Sequence, residues 1–234
     1  MVFFCGSTSA GRTLTSNSLA VVFDLDGTLL DVEARHHHVY SSACRELGGV
    51  PLDRAEYWQL RRQRAGSPDI LARSGITGDR YTAFETAFQA QIELPESLGF
   101  DVLFPDVIPL LAKVSAVHGC VLVAQRAAPV ALQAQLAVLG VTPYFQAIET
   151  APSHSEPAFQ VKAGLIRKAV HSDMHGVVIG DTEADVMAAT ALRYQSIAVA
   201  SGTRDRDILE QQEPDHLVDD LSGVEHALHL IGAL

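Results

Sequence analysis

One stretch near the start of the chain decides its fold, Val21-Val22-Phe23-Asp24-Leu25-Asp26-Gly27-Thr28-Leu29-Leu30-Asp31. Its continuous apolar run is typical of a parallel strand that is covered on both faces. Side chains alternate along an extended segment, so Asp24 and Asp26 begin on the same side, and Gly27 allows a sharp turn after them. Because open α/β sheets place their chemistry beyond the carboxyl ends of strands, the stretch predicts a buried strand that delivers two carboxylates to a sheet edge.

The second half of the chain changes repeatedly from an apolar strand to a helix. Strands are predicted at 120–123, 145–148, 176–179, 196–200 and 216–218, and helices at 105–117, 129–139, 157–170, 183–192, 206–211 and 223–231. This alternation is typical of a parallel sheet with helical crossovers. The predicted fold class is therefore α/β, with a Rossmann-like parallel sheet as its core.

Between these two regions the sequence predicts helices only. They are expected at 32–49, from 51 onward, at 68–74 and at 80–92, and no strand signal occurs from 32 to 100. We therefore predict an inserted α-helical cap subdomain at 32–104 and a core made of 18–31 and 105–234. Residues 1–17, which end in a run rich in Ser, Thr and Asn, predict a flexible N-terminal tail.

Composition limits the partners of the protein. The 234 residues are 47% hydrophobic and 19% charged, which indicates a globular chain with ample material for a core. A formal net charge of −11 argues against nucleic acid, because phosphate backbones are held by Lys and Arg, but it permits a small phosphorylated metabolite. No apolar run is long enough to cross a membrane, so no membrane partner is expected.

Cysteine usage predicts the compartment. Cys5, Cys44 and Cys120 are an odd number without close spacing, which predicts a reduced, cytoplasmic protein. Cys120 opens an apolar run and is expected to be a small buried residue. The start of the chain lacks the charged leader of a signal peptide. The sequence leaves a monomer and a homodimer open.

A second apolar strand also ends in acids, at Val177-Val178-Ile179-Gly180-Asp181-Thr182-Glu183-Ala184-Asp185. Asp185 falls on the same side as Asp181 once a helix begins there. If this strand lies beside the first, the four aspartates of the two strand ends converge. Four carboxylates in one small volume cannot all stay ionised without a partner, and oxygen-only ligands with room for water suit Mg²⁺. The two strand ends together therefore predict a magnesium site.

Each stretch alone has a plainer interpretation. The Asp-X-Asp-Gly-Thr sequence could form a simple turn, and Asp181 or Thr182 could serve only as the N-cap of a helix. Their joint occurrence at the ends of two strands of one α/β pattern favours a functional site.

The stretches Asp24-Leu25-Asp26-Gly27-Thr28 and Gly180-Asp181-Thr182-Glu183-Ala184-Asp185 resemble two motifs of the haloacid dehalogenase (HAD) superfamily. The resemblance covers about residues 21–234 and includes a helical cap of the C1 type, as in phosphoglycolate phosphatase-like and β-phosphoglucomutase-like members. It implies that Asp24 is the nucleophile and Asp26 the general acid/base. The second aspartate implies a phosphatase or a phosphomutase, because the true haloacid dehalogenases lack it.

The chemistry of these residue types fits that assignment. A carboxylate that attacks phosphorus forms an aspartyl-phosphate and divides a difficult hydrolysis into two steps. Asp26 would protonate the leaving group and then deprotonate water. The implied Mg²⁺ ligands are the Asp24 carboxylate, the Asp26 backbone carbonyl and Asp181, with Asp185 acting directly or through water.

Two further motifs of the superfamily are altered. Ala124 replaces the hydroxyl residue that holds the phosphoryl group, so the predicted phosphate contacts are backbone N–H groups at this strand end and the Gln125 side chain. Glu156 stands where many relatives carry a lysine before proline, and we assign the catalytic lysine to Lys162, whose alternative is a solvated helix lysine. One lost hydrogen bond to a charged group, worth about 1.5–3 kcal/mol, would lower activity without abolishing it.

Two weaker substrate contacts complete the predicted site. By resemblance to β-phosphoglucomutase-like members, His36 occupies the position where a cap-hinge histidine meets the site. The alternative for His36 is a surface or core histidine of an amphipathic helix. Arg204 follows the strand predicted at 196–200, in a loop that we place near the site.

The sequence thus predicts a Mg²⁺-dependent phosphatase that hydrolyses a small phosphomonoester. Two alternatives remain open. One is a sugar-phosphate mutase of the β-phosphoglucomutase type. The other is a catalytically weak or inactive homologue that binds a ligand or a partner, as Ala124 and Glu156 would favour.

Overall fold

A computed structural model describes residues 19–152 and 156–234 of the chain. The elements in chain order are β1 (Ala20–Phe23), β2 (Leu30–Asp31), α1 (Glu33–Glu46), α2 (Arg54–Arg62), α3 (Ser67–Arg73), α4 (Arg80–Gln91), α5 (Pro95–Leu98), β3 (Val102–Leu103), α6 (Val107–Val117), β4 (Gly119–Ala124), α7 (Pro129–Val138), a 3₁₀ turn (Thr142–Tyr144), β5 (Ala147–Thr150), α8 (Ala158–Ala169), β6 (Gly176–Gly180), α9 (Glu183–Leu192), β7 (Gln195–Val199), α10 (Arg206–Glu210), β8 (His216–Val218) and α11 (Leu221–Leu230). The alternation confirms the predicted α/β class.

The core is a six-stranded parallel sheet with the strand order β5-β4-β1-β6-β7-β8. The central strand β1 pairs with β4 on one side and with β6 on the other. Phe23, the last residue of β1, lies opposite Leu122 of β4 and Ile179 of β6. The two acidic strand ends therefore leave the same edge of the sheet side by side, and the adjacency on which the predicted site depends is confirmed.

Alternate residues of β1 pack on opposite faces of the sheet. Val21 and Phe23 belong to a hydrophobic cluster with α6, α7 and α11, whereas Ala20 and Val22 belong to a cluster with α8 and α9. All four side chains are buried. Because helices cover both faces of the strand, it needs no polar positions, which explains its unbroken apolar run.

A separate hydrophobic cluster lies within helices α1–α4. Its buried members fall between Val39 and Ile92 and include Tyr40, Phe84 and Phe88. We call residues 32–104 the cap segment. The strands β2 and β3 form an antiparallel pair where this segment leaves and rejoins the core, and with two residues each they gave no signal in the sequence. The predicted boundaries of cap and core stay predictions.

Two predicted elements are displaced in the structure. The strand predicted at 145–148 lies at Ala147–Thr150, because a 3₁₀ turn precedes it. The helix predicted from 105 begins at Val107, because Asp106 adopts the left-handed conformation with φ 67°. Cys120 is buried and is a free thiol, as expected.

Some predictions concern parts of the chain or properties beyond this description. The tail predicted at 1–17, with Cys5, lies outside the described residues. Across 19–152 and 156–234, no helix is both long and apolar enough to span a bilayer. The cytoplasmic location and the choice between monomer and homodimer stay predictions.

Candidate active site

Three carboxylates meet at the carboxyl ends of β1 and β6. One oxygen from each of Asp24, Asp181 and Asp185 lies within 4.8 Å of the others. All three residues are buried. Asp24 directly follows β1, Asp181 directly follows β6, and Asp185 lies in the first turn of α9. The predicted convergence therefore holds for three of the four aspartates.

Lys162 supplies a positive charge to this cluster. It lies in α8 and is 4% exposed. Its Nζ lies 2.9 Å from Asp24 Oδ1 and donates to Asp185 Oδ1 at 2.5 Å. Burial would lower the pKa of Lys162, but Asp185 and Asp24 hold it above its ordinary value, so the lysine stays charged. Lys162 is thus not a solvated helix lysine, unlike Lys168 of the same helix, whose side chain is 69% exposed.

One lysine does not balance three carboxylates. Burial raises the pKa of Asp24 well above its usual value; Lys162 opposes this rise, and Asp185 and Asp181 add to it. Burial and the charge of Asp185 raise the pKa of Asp181 to about 6. The three side chains that could bind a cation here offer only carboxylate oxygens. This donor set fits Mg²⁺ better than a softer metal.

Two loops position Asp181 within the cluster. Its Oδ2 accepts hydrogen bonds from the backbone N–H and the hydroxyl of Thr203, both at 2.6 Å, and its Oδ1 accepts one from the Thr28 hydroxyl at 3.3 Å. A Cβ atom on Gly27, which has φ 85°, would lie 2.1 Å from Asp181 Oδ2. A Cβ on Gly202 would lie 2.4 Å from the same oxygen. Both loops can therefore reach the carboxylate only with glycine at these positions.

Asp185 is committed on both of its carboxylate oxygens. Its Oδ1 accepts from Lys162, and its Oδ2 accepts from the Thr182 backbone N–H at 3.1 Å and the Thr182 hydroxyl at 2.6 Å. Thr182 is also the N-cap of α9. These contacts leave Asp185 less able than Asp24 to bind a metal directly, which favours the water-mediated alternative of the prediction.

The side chain of Asp26 turns away from this cluster, contrary to the predicted convergence of four carboxylates. Arg126 donates through Nε to Oδ2 at 2.7 Å and through Nη2 to Oδ1 at 2.6 Å. Arg35 Nη2 lies 3.0 Å from Oδ1. Both arginines are buried, at 3% and 1% exposure, and a bidentate Arg–carboxylate pair is a strong contact that accounts for the turn. The predicted metal contact through the Asp26 backbone carbonyl does not depend on this side chain and stays a prediction.

Asp101 completes a balanced group of two cations and two anions. Its Oδ1 lies 3.1 Å from Arg35 Nε, its Oδ2 lies 3.7 Å from Arg126 Nη2, and Gln135 Nε2 donates to Oδ2 at 2.7 Å. Burial would raise the pKa of Asp26, but Arg126 and Arg35 hold it well below its usual range. Burial raises the pKa of Asp101 to about 6. Near neutral pH, Asp26 is therefore an ionised carboxylate with its counter-charges already in place.

A cavity of about 280 Å³ lies beside Asp26, between the cap segment and the sheet edge. The core lines it with Asp26, Gln125 and Arg126, and α1 lines it with Arg35 and His36. Gln125 Nε2 also donates to the Ala158 carbonyl at 3.1 Å. The cavity brings two predicted site residues, Gln125 and His36, to the same space as Asp26.

The remaining predicted residues lie elsewhere. Ala124 ends β4 and is 2% exposed, and its side chain offers no hydrogen bond. Arg204 donates to Glu183 Oε2 at 2.9 Å and to the Thr203 carbonyl at 3.0 Å. Arg204 therefore supports the loop that holds Asp181 and is not part of the cavity lining. The predicted phosphate contacts at Ala124 and Gln125 stay predictions.

The sequence analysis missed several site residues, and they differ in how visible they were. Thr28 lies within the first motif, Arg126 directly follows Gln125, and Thr203 lies in the loop that was placed near the site. These three had a positional signal. Arg35 had none, because nothing in a helical segment indicates which side chain will reach a carboxylate on β1.

Comparison with known proteins assigns the chain to a family. The family model described as "Hydrolase: haloacid dehalogenase-like hydrolase" matches residues 19–193. The chain is 28% identical over 223 residues to "Probable phosphatase IndB" of Dickeya dadantii, which covers 90% of this chain and 94% of that protein. It is 26% identical over 212 residues to the phosphoglycolate phosphatase of Synechococcus elongatus, with 89% and 96% covered.

Solved structures agree on the fold. The haloacid dehalogenase-like family protein SP0104 from Streptococcus pneumoniae superposes with a TM-score of 0.75 at 19% identity. The match covers 91% of this chain and 98% of that one. At this identity the likeness shows the same architecture, a parallel sheet with surrounding helices, and does not by itself give the reaction.

Proposed function

Because the chain belongs to the haloacid dehalogenase-like hydrolases, we propose that it is a Mg²⁺-dependent phosphatase that hydrolyses a small phosphomonoester through an aspartyl-phosphate. The observation that carries this proposal is the contact of Lys162 with both Asp24 and Asp185 inside a buried group of three carboxylates. The names of the two relatives described above, both phosphatases, support the same reaction.

Asp24 is the proposed nucleophile. Lys162 lies 2.9 Å from Asp24 Oδ1, so it favours the ionised carboxylate that attacks phosphorus, and it offsets negative charge as the phosphoryl group is transferred. Asp24, Asp181, the Asp26 backbone carbonyl and, through water, Asp185 would hold Mg²⁺, which supplies further neutralisation between the attacking carboxylate and the phosphoryl oxygens.

Asp26 is proposed as the general acid/base. Its surroundings suit the hydrolysis of the aspartyl-phosphate better than the protonation of the leaving alcohol. An ionised carboxylate fits the second step, in which Asp26 accepts a proton from the water that attacks the aspartyl-phosphate. The first step needs a proton for the leaving alcohol, and the pairing with Arg126 and Arg35 opposes protonation of Asp26. We therefore expect faster turnover for substrates whose leaving groups need little protonation.

A catalytically weak or inactive homologue is the second candidate. The observations that favour it are the missing hydroxyl at Ala124 and the arginine pair on Asp26. Metal-dependent release of phosphate from any phosphomonoester, at a rate that depends on Asp24, would exclude this candidate. A sugar-phosphate mutase would instead need a bisphosphate to start turnover, and its product would retain phosphate.

The test is phosphate release from 4-nitrophenyl phosphate and from a panel of phosphorylated metabolites, with Mg²⁺ and with EDTA. Asp24→Asn should reduce the rate by at least about 10³-fold, because the amide cannot serve as the nucleophile. Asp219→Asn, at an exposed aspartate far from the strand ends in sequence, is the control and should leave the rate unchanged. Circular dichroism should show the same fold for all three proteins. Unchanged activity in folded Asp24→Asn would overturn the nucleophile assignment.

A further inference from the structure

The position of the cavity beside Asp26 identifies the part of the substrate that it receives. Asp26 lines the cavity, whereas Asp24 and Lys162 do not. If Asp26 exchanges protons with the leaving alcohol, as the proposed function requires, the alcohol oxygen lies next to Asp26. The organic group attached to that oxygen then extends into the cavity, because the phosphoryl group is needed at Asp24.

The cap segment lines this cavity with ring-bearing and aliphatic side chains and also with polar ones, which are Arg35, Arg61, Ser67, Glu85, Gln89 and Glu93. Its rings are those of His36, Tyr40, Tyr57, Phe84 and Phe88. The four residues other than His36 are buried. Phe84 and Phe88 stack with their centroids 5.8 Å apart, and Tyr40 and Tyr57 stack at 4.1 Å. Such walls accept flat apolar groups by offset-stacked or edge-to-face contacts.

The polar atoms of these rings are largely unavailable to a polar ligand. The Tyr40 hydroxyl already contacts Ser74 Oγ and accepts from the Leu52 backbone N–H at 3.0 Å. Burial, followed by the nearby charges of Arg61 and Arg35, holds the pKa of His36 well below its usual value, so this ring is neutral. The His36 ring therefore adds no charge to the wall, although its nitrogen atoms remain polar.

Two polar atoms of residues that line the cavity are buried without a partner in the described part of the chain. Among the residues that the structure describes, neither Arg35 Nη1 nor His36 Nδ1 has a hydrogen-bond partner. Arg35 is 1% exposed and lines the cavity near its charged end. A buried donor without a partner costs about 1–3 kcal/mol, and oxygen atoms of a bound substrate or of water would relieve this cost.

We propose that the cavity binds the organic part of the substrate, and that this part is an apolar group about the size of one aromatic ring. The volume of about 280 Å³ lies at the small end for ligand pockets, which suits one ring and its linking carbons. The substrate class is therefore a phosphomonoester whose organic group carries one aromatic ring. This inference rests on the proposed function, because it uses Asp26 as the group next to the leaving oxygen.

A sugar phosphate fits the same space poorly. Each sugar hydroxyl that leaves water needs a hydrogen-bond partner, and an unpaired hydroxyl in an apolar site is costly. Of the other polar side chains that the cap segment adds to the lining, Ser67, Glu85 and Gln89 are exposed, Arg61 is half-buried, and Glu93 already accepts from the Ala127 and Ala128 backbone N–H groups. The site should consequently discriminate against glucose 6-phosphate.

The test that does not depend on turnover is the binding of two phosphonates by isothermal titration calorimetry in Mg²⁺. The probes are 3-phenylpropylphosphonate and propylphosphonate, which differ only in the ring. Burial of one phenyl ring should tighten binding at least tenfold. Equal affinity for the two probes would overturn the inference, even if the protein proved to be an excellent phosphatase.

Variants locate the ring in the cavity. Phe88→Ala should remove most of the affinity difference between the two phosphonates, and Phe84→Ala should act in the same way if Phe88→Ala fails to fold. Phe100→Ala is the matched control, because Phe100 is 43% exposed, stacks on His38 and does not line this cavity. The control should retain the full difference. Retention of the difference in folded Phe84→Ala or Phe88→Ala would contradict the assignment.

Turnover separates this inference from the proposed function. We expect kcat/KM for 2-phenylethyl phosphate to exceed the values for ethyl phosphate and glucose 6-phosphate at least tenfold, with all three esters derived from primary alcohols. If no ester and no 4-nitrophenyl phosphate releases phosphate, the proposed function fails, and the phosphonate affinities still decide the inference. If glucose 6-phosphate is hydrolysed as well as 2-phenylethyl phosphate, the inference fails and the proposed function stands.

Discussion

Asp24 and Asp26 lie two residues apart at the end of one strand, yet their surroundings differ in kind. Asp24 shares a buried site with two further carboxylates and one lysine, so negative charge remains uncompensated. Asp26 has two buried arginines, and Asp101 balances the second of them. The Asp24 end of the site can accept a further cation, whereas the Asp26 end is already paired with its own arginines.

This difference shows how the end of one strand can provide two carboxylates with different electrostatic roles. The Asp24 carboxylate lies with the carboxylates at the end of β6 and the start of α9, whereas the Asp26 carboxylate contacts arginines of α1 and of the loop after β4. The uncompensated end suits metal binding and phosphoryl transfer. The compensated end fixes the position of a carboxylate beside the cavity. Replacing Lys162 at the Asp24 end should therefore mainly affect catalysis, and replacing Arg126 at the Asp26 end should mainly affect stability.

The largest effect is expected from removing the cation of the Asp24 end. Lys162→Met should lower kcat by about 10³-fold, because the transition state loses a buried charge next to the nucleophile. Lys168→Met is the matched control, since Lys168 belongs to the same helix and pairs with Glu149 at the surface. Steady-state kinetics with a saturating phosphomonoester provide the measurement. A similar kcat for both variants would show that Lys162 has only a structural role.

Removing a cation from the Asp26 end should mainly reduce stability. Arg126→Met leaves Asp26 and Asp101 with Arg35 alone, and breaking a buried ion pair on one side typically costs about 3 kcal/mol of unfolding free energy. Urea unfolding measures this change through the transition midpoint at constant slope. Arg206→Met, which breaks an exposed pair with Asp219, should change stability by less than about 0.5 kcal/mol. Equal losses in both variants would contradict the balanced group described above.

These two ends also mark how far the sequence could predict the molecule. The strand ends around Asp24 and Asp181 were predictable, because local apolar runs identify the strands and parallel topology places their ends at one edge. The contact of Asp26 with Arg126 was not, because those residues are 100 positions apart and no local pattern links them. The same holds for Arg35, whose helix could have turned any of several faces toward the core.

Very short strands and neighbouring residues within one loop were also difficult to predict from the sequence. The pair β2 and β3 has only two residues in each strand, too few for periodicity to show. In the loop that was placed near the site, Thr203 contacts Asp181, whereas the predicted Arg204 contacts Glu183. The loop therefore does reach the site, through Thr203, and the predicted contact of Arg204 with substrate stays a prediction.

A smaller effect is expected from metal at the uncompensated end. Mg²⁺ at about 100 times its dissociation constant should stabilise the folded protein by about 2.7 kcal/mol, because unfolded chains do not assemble the three carboxylates. Thermal unfolding with Mg²⁺ and with EDTA measures this shift. Asp181→Asn should abolish most of it, whereas Asp219→Asn should preserve it. A shift that survived Asp181→Asn would place the metal elsewhere.

The smallest effect concerns Ala124, the last residue of β4, which pairs with β1 on the side away from β6. Ala124→Thr restores a hydroxyl at the predicted phosphate position, and one hydrogen bond to a charged group should raise kcat/KM about tenfold. Ala124→Val is the matched control, because valine has the shape of threonine without its hydroxyl and packs at the same 2% exposed position. A gain in the threonine variant alone would show that the missing hydroxyl limits catalysis. A gain in neither variant would mean that backbone N–H groups and Gln125 already hold the phosphoryl group, and the slow step would then lie with the arginine-bound Asp26.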